Sequence, residues 1–229
     1  MRRCVPWNDW IRTVEIEPSL YAADFAHLGE QIDVLLRAGA RVFHFDTGDG
    51  HFVPPVTIGP IVLESIADQI HEGGGIVDCH LMVDNPAHHF PQFAGAGGDS
   101  VTFHVEAAND PAAVIRAARE SELQVGVAFN PQTEPAAAAA AAEGADFVLC
   151  MSINPGYSGQ AFMPEALERI TRLRAKLPDG VHVQVDGGVD NDNVRDVYDA
   201  GATLIVAGSA IFAREDLPRA YRRLVQALA

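Results

Sequence analysis

The stretch FHFDTGDGHFVPP, Phe43 to Pro55, sets His44 and Asp46 two residues apart inside an apolar run and then breaks into glycine, acid and proline. In an extended strand residues i and i+2 share a face, so His44 and Asp46 point one way while Phe43 and Phe45 point the other. The same alternation returns in IVDCHLMV (76–83), where Asp78, His80 and Met82 oppose Val77, Cys79 and Leu81. It returns again in VHVQVDGG (181–188), where His182, Gln184 and Asp186 oppose Val181, Val183 and Val185. Three strands thus carry apolar side chains on one face and ionisable or amide groups on the other.

Working outward, eight β-rich runs recur about every 25 to 30 residues, each followed by a helix-like stretch: VEIEPSLY, VFHFDTG, IVDCHLMV, SVTFHVE, LQVGVAFN, FVLCMSIN, VHVQVDGG and TLIVAGS. Alternating strands and helices force a parallel sheet, and eight such units closing on themselves give an α/β fold of the (β/α)8 TIM-barrel type. A doubly wound open sheet is the alternative, and no GxGxxG follows the first strand to favour it. One catalytic barrel domain is expected over 13–229, preceded by an extension, 1–12, whose Trp7 and Trp10 pack on its body. Asp24 is expected to cap a helix over 25–38, Pro164 to open one over 165–176 and Asn191 to cap one over 192–200. Gly39, Gly144 and Gly201 follow as C-caps, and the alanine run after Pro135 is read as a helix of small side chains lying close on the barrel.

Composition narrows the partners. With 229 residues, 48% hydrophobic and 21% charged, the chain is that of a compact soluble protein. A formal charge of −15 argues against nucleic acid or an anionic membrane surface as partner. An anionic substrate must then be held by local geometry. Cys4, Cys79 and Cys150 are odd in number, and the last two sit in apolar runs, which points to free thiols in a reducing compartment. The N-terminus has no apolar core of a signal peptide and no run reaches the ~18 apolar residues that span a bilayer. A cytoplasmic protein is expected.

In a closed barrel the polar faces of these strands point at the axis, so His44, Asp46, His80 and Asp186 converge at the C-terminal mouth, where barrel active sites lie. Burying four such groups unpaired costs several kcal/mol each, and a divalent cation removes that cost. Two imidazoles and two carboxylates suit Zn2+, with Fe2+, Mn2+ or Co2+ as alternatives. His104 and Glu106 of SVTFHVE are read as inward-facing support for that set, and His182 and Gln184 as deeper filling of the barrel. The last three strands end in NPGYSGQ, DGGV and AGS, glycine loops that let backbone N–H groups approach a phosphate without Lys or Arg.

Taken together, EPSLYAADF, FHFDTGDGHFVP, DCHLMVDNP, FHVEA, MSINPGYSGQAF, VDGGV and AGSAIF resemble, in order and position, the ribulose-phosphate 3-epimerases, from about Val14 to Leu228. The resemblance implies that Asp46 and Asp186 are the acid and base that move the C3 proton, and that His44, Asp46, His80 and Asp186 hold the metal. It implies substrate contacts from Ser19 and His80 and an apolar bed from Met82 and Met151. It places the phosphate at Gly156, Tyr157, Ser158, Gly159, Gly187, Gly188, Gly208 and Ser209. A homo-oligomer is implied as well. The implied reaction is 3-epimerisation of a phosphorylated ketose through an enediolate, D-ribulose 5-phosphate to D-xylulose 5-phosphate. The pattern departs from the family at Glu17, where a small residue is usual, and at Tyr21, Ala22, Thr47, Gly48, Pro55 and Ser158. A 3-epimerase of ketohexose 6-phosphates and a non-catalytic phosphosugar-binding barrel are the rivals. A Schiff-base aldolase is disfavoured, since the sole lysine, Lys176, sits at a helix end.

Overall fold

A computed structural model, which describes residues 13–228, places eight parallel strands in one sheet. They are β1 (Glu15–Pro18), β2 (Val42–Gly48), β3 (Ile76–Met82), β4 (Ser100–His104), β5 (Gln124–Phe129), β6 (Phe147–Met151), β7 (His182–Asp186) and β8 (Leu204–Ala207). Each strand pairs with the next along the chain except that β1 pairs with β8. The seam between β1 and β2 is joined by a parallel bridge from Ser19 to His44, which nearly closes the barrel. The expected extension, 1–12, with Trp7, Trp10 and Cys4, lies outside the described residues.

The alternation expected of the strands sorts the side chains into two compartments. Phe43, Phe45, Val77, Cys79, Leu81, Val183 and Val185 face outward into one continuous apolar layer beneath the helices. Phe45 meets Phe93 edge-on, ring centroids 6.5 Å apart. Full burial of each such phenylalanine contributes about 1.5–3 kcal/mol, which fixes the strand register because a slip by one residue would put the ionisable face under the helices. Inside, the first inward residues of four strands, Val42, Ile76, Phe147 and Leu204, plug the N-terminal end of the barrel. The polar layers lie above them.

The helices are α1 (Leu28–Ala38), α2 (Pro60–Glu72), α3 (Phe90–Gly95), α4 (Pro111–Glu120), α5 (Pro135–Ala141), α6 (Ala166–Arg174), α7 (Val194–Asp199), α8 (Ser209–Phe212) and α9 (Leu217–Ala227). Asp24 does cap, accepting from the Ala26 N–H at 3.0 Å, but the first turn is a tight one over Phe25–His27 and α1 begins only at Leu28. Pro164 precedes α6 by a turn. Asn191 is not the cap expected of it: residues 191–193 form a turn in which the Asn193 side chain accepts from the Asp190 N–H at 3.0 Å, and α7 starts at Val194. Gly39 ends α1 with φ 104°, its N–H reaching back to Leu35 and Leu36. No helix among the described residues is long and apolar enough to cross a membrane.

One interior position shows how tightly the barrel is filled. A Cβ on Gly126 of β5 would collide with the Phe147 ring and the Thr102 hydroxyl, neither of which has open space to move into. Gly126→Ala should therefore cost about 1–3 kcal/mol through overpacking, read as a lower midpoint in urea denaturation with an unchanged slope.

Candidate active site

The C-terminal ends of β2, β3 and β7 bring His44, Asp46, His80 and Asp186 together, each with one donor atom within 4.8 Å of the others. His80 Nδ1 lies 2.9 Å from Asp46 Oδ1 and 3.9 Å from Asp186 Oδ2. His44 Nε2 lies 3.2 Å from Asp46 Oδ1 and is buried without a hydrogen bond. Its other nitrogen is committed, since Nδ1–H donates to Asp78 Oδ2 at 2.9 Å. A buried imidazole nitrogen without a hydrogen-bond partner, gathered with two carboxylates and a second imidazole, belongs to the donor set a divalent cation takes, so the residues fit the expected metal.

Beneath this set lies a second polar layer whose groups bond mainly to one another, with Glu17 Oε1 and Gln184 Oε1 left without a partner. The Gln184 amide donates to Glu17 Oε2 at 2.6 Å and to Asp78 Oδ2 at 2.8 Å, while the Ser100 hydroxyl donates to Asp78 Oδ1 at 2.7 Å. Glu17 is thus the far end of a chain, Glu17–Gln184–Asp78–His44, that orients the ligand imidazole. Burial, reinforced by the charge of Asp78, pushes the Glu17 carboxyl well above the usual range. His182, at the start of β7, pairs with the Thr203 hydroxyl at 3.0 Å, the structural role expected of it.

The two aspartates at the mouth sit in opposite electrostatic settings. Burial alone would raise Asp46, but the His44 and His80 imidazoles outweigh it and hold the carboxyl well below the usual range, and the Ser19 hydroxyl donates to its Oδ2 at 2.7 Å. Asp186 has no such partners, and burial together with the Asp46 charge pushes it up to about 7. One carboxyl is a standing anion and the other holds a proton near neutrality. That is the separation acid/base chemistry on a carbon requires.

Above them opens a cleft. Ser19, Met82 and Met151 border it on the side of the aspartates, and Gly156, Tyr157, Ser158, Gly159, Gly187, Gly188, Gly208 and Ser209 border it from the loops after β6, β7 and β8. Every expected substrate contact except His80 reaches the cleft; His80 lies beneath it, fully buried. Gly187 and Gly188 have φ of 119° and 65°, and a Cβ on either would strike Ile153 or the Phe162 backbone, so the chain there can pass only as glycine. The cleft also uses Tyr21, Ile153, Val189 and Val206. Sequence reasoning named Tyr21 only as a departure from the family and gave the others no role: Tyr21, Ile153 and Val189 lie in turns beyond the strands, whose faces follow no period, whereas Val206, two residues after the inward Leu204 of β8, was within reach of the alternation.

Other supports were equally unreadable. Ser152 fastens the end of β7, its hydroxyl donating to the carbonyls of Asp186 and Gly187 at 2.8 and 2.6 Å. After β2, Asp49 accepts from the N–H groups of His51, Phe52 and Asp84, each at 2.8 Å, which folds the loop back on itself. A Cβ on Gly48 would stand 2.8 Å from the Pro55 carbonyl and the Val53 side chain, so no methionine fits there with the loop in this position. Glu106 departs from its expected place. The strand ends at His104, and Glu106 turns away in a 3-10 turn, partly exposed, accepting from the Asn130 N–H at 2.8 Å and from the Thr133 hydroxyl.

The family model described as "Ribulose-phosphate 3 epimerase family" matches residues 15–212. The ribulose-phosphate 3-epimerase of Escherichia coli (strain K12) is 40% identical over 207 residues, covering 88% of this chain and 90% of its own. That of Schizosaccharomyces pombe (strain 972) is 40% identical over 198 residues, 86% of each. Among solved structures, 3-hexulose-6-phosphate synthase from Salmonella typhimurium superposes with a TM-score of 0.70 at 19% identity, covering 93% of this chain and 98% of its own, which speaks for the barrel alone. With the barrel, the paired carboxylates and these matches in agreement, the chain belongs to the ribulose-phosphate 3-epimerase family of isomerases.

Proposed function

We propose that the protein inverts C3 of a phosphorylated ketose, with D-ribulose 5-phosphate and D-xylulose 5-phosphate as the interconverted pair, and that it works with a divalent cation, Zn2+ first among the candidates. The observation that carries the reading is the unequal aspartate pair beside one cleft: Asp46 is ionised and Asp186 holds a proton near neutrality. Inverting a carbon next to a carbonyl takes a proton from one face and returns one to the other, so it needs a base and an acid together. Asp46 accepts the C3 proton, the C–H electron pair moves into an enediolate, and Asp186 delivers its proton to C3 from the opposite face. The reverse reaction exchanges the two roles.

His44, Asp46, His80 and Asp186 would hold the cation, which when bound supplies positive charge against the oxygens of the enediolate. Ser19 keeps Asp46 oriented through its 2.7 Å hydrogen bond. Met82 and Met151 give the planar intermediate an apolar bed that excludes water, and the glycine loops hold the phosphate through backbone N–H groups. A cytoplasmic setting accords with the buried thiols of Cys79 and Cys150. Assembly into a homo-oligomer is part of the same proposal, supported by the apolar groove of Phe25, Ile58 and Val62 on the outer surface.

The direct test is a panel of ketose phosphates assayed in deuterium oxide before and after chelation. We expect deuterium at C3 of the pentulose phosphates, a kcat/KM for them above that for hexulose 6-phosphates, and loss of turnover on chelation that Zn2+ restores; a protein that exchanges no C3 proton is a binder and not an epimerase. Asp46→Asn and Asp186→Asn should each lower kcat by about 10²–10⁴-fold with the far-ultraviolet circular dichroism unchanged.

The cation competes with the Asp186 proton for that carboxyl, and with the proton that the Asp46 and Asp78 carboxylates favour on His44, so apparent Zn2+ affinity should fall as the pH drops through about 7. Asp186→Asn should make that slope shallower by one proton, as measured by competition with a chelator across pH.

A further inference from the structure

His104 sits at the end of β4, fully buried, and does not border the cleft. Its Nε2 lies 2.9 Å from Nε2 of His80, the rings tilted by 24° with centroids 5.1 Å apart. Two nitrogens at that distance share one proton, so one ring donates and the other accepts. The geometry around the pair decides which. His80 turns its other nitrogen, Nδ1, toward Asp46 and Asp186, where without a cation it donates to Asp46 Oδ1 at 2.9 Å and where a bound cation would take its lone pair instead. An imidazole that offers the Nδ1 lone pair to a cation keeps its proton on Nε2. His104 must then accept on Nε2 and carry its own proton on Nδ1, which faces Glu106 Oε2 at 3.4 Å. Glu106 is itself pinned by the Asn130 N–H and the Thr133 hydroxyl, and the Phe52 ring lies against His104 with centroids 4.8 Å apart. The acceptor for His80 is therefore a buried ring with a fixed carboxylate 3.4 Å behind it, close enough to take up the Nδ1 proton by a small rotation although no hydrogen bond joins the two here.

We propose that His104, oriented by Glu106, is a positioning residue that keeps the Nε2 proton on His80 and so leaves His80 Nδ1 free to hold the cation. The inference rests on the cation set of the proposed function. It makes the two ligand imidazoles opposite in kind: His44 is fixed at Nδ1 by the anion Asp78 and offers Nε2, whereas His80 is fixed at Nε2 by a neutral ring and offers Nδ1. With no contact to substrate, His104 can act on the chemistry only through His80.

The test compares His104→Phe, which keeps a ring but has no acceptor, with His104→Gln, which keeps an acceptor. Zn2+ affinity is measured by chelator competition, and ring nitrogen shifts of the zinc-loaded wild type by nuclear magnetic resonance. We expect His104→Phe to weaken Zn2+ binding about 10–100-fold, His104→Gln to stay within a few-fold of wild type, and the spectra to place protons on His80 Nε2 and His104 Nδ1. Equal losses in both variants, undiminished affinity in His104→Phe, or a proton on His104 Nε2 in the zinc-loaded protein would overturn the proposal. The spectra and affinities stand apart from turnover. A protein that follows this pattern but epimerises no ketose phosphate keeps the positioning role and loses the epimerase reading; an active enzyme with equal losses in both variants does the reverse.

Discussion

A closed barrel of parallel strands has a single interior, and every second side chain of every strand must enter it. Water cannot follow in bulk, so each polar group placed inside has to find its partner among the others. The lowest layer avoids the difficulty by being apolar, with Val42, Ile76, Phe147 and Leu204 packed together. The next layer meets it by hydrogen bonding: Asp78, unable to reach solvent, takes donors from Ser100, His44 and Gln184. Two oxygens of that layer, Glu17 Oε1 and Gln184 Oε1, stay without a partner. At the mouth His44 Nε2 likewise has no hydrogen-bond partner, and Asp46 and His80 approach each other closely without neutralising Asp186. Of these open places the mouth alone gathers two imidazoles and two carboxylates beside the cleft, and it is there that the proposed cation would bind.

The same constraint separates the two aspartates. Were both equally placed, their titrations would be symmetric and the pair would share one proton indifferently. Three groups reach Asp46, namely Ser19, His44 and His80, and all of them favour its anion. Asp186 receives chiefly desolvation and the field of Asp46, both of which favour its acid form. The asymmetry arises from which strands stand next to each other: β2 lies between the bridge to Ser19 and the paired strand β3, so Asp46 collects neighbours from both sides. Asp186, on β7 across the barrel, has Met151 as its register partner on β6.

The fold and the site were legible in the sequence to the extent that period 2 governs them. His44, Asp46, His80 and Asp186 all sit within strands where apolar residues alternate with ionisable ones, and the assignment of faces needed nothing more. What failed did so where the period ends. Glu106 is two residues beyond His104 and would share its face in a longer strand, but β4 stops and a 3-10 turn rotates it outward. Asn191 looked like a cap because four Asn or Asp residues, 190–193, follow one another, and only the turn through Asn193 decides which begins the helix. Glu17 had no local explanation at all. Its partner, Gln184, is 167 residues away and becomes a neighbour only through the closing of β1 onto β8 and β7.

Charge gives this arrangement a further consequence. The chain carries −15, and among the described residues no lysine or arginine borders the cleft. A sugar phosphate of the proposed kind would meet repulsion at long range and, at short range, the hydroxyls of residues such as Ser158 and Ser209 with the backbone N–H groups of the glycine loops, donors that are directional and effective only within hydrogen-bond distance. Asp46 adds a standing negative charge at the point where the substrate's own oxygens must become more negative during reaction. A divalent cation held by His44, Asp46, His80 and Asp186 would add two positive charges to a set in which Asp46 is ionised and Asp186 holds a proton near neutrality. On this view the ion's first effect is to make an anionic substrate tolerable in an acidic protein, before any of its chemistry is used.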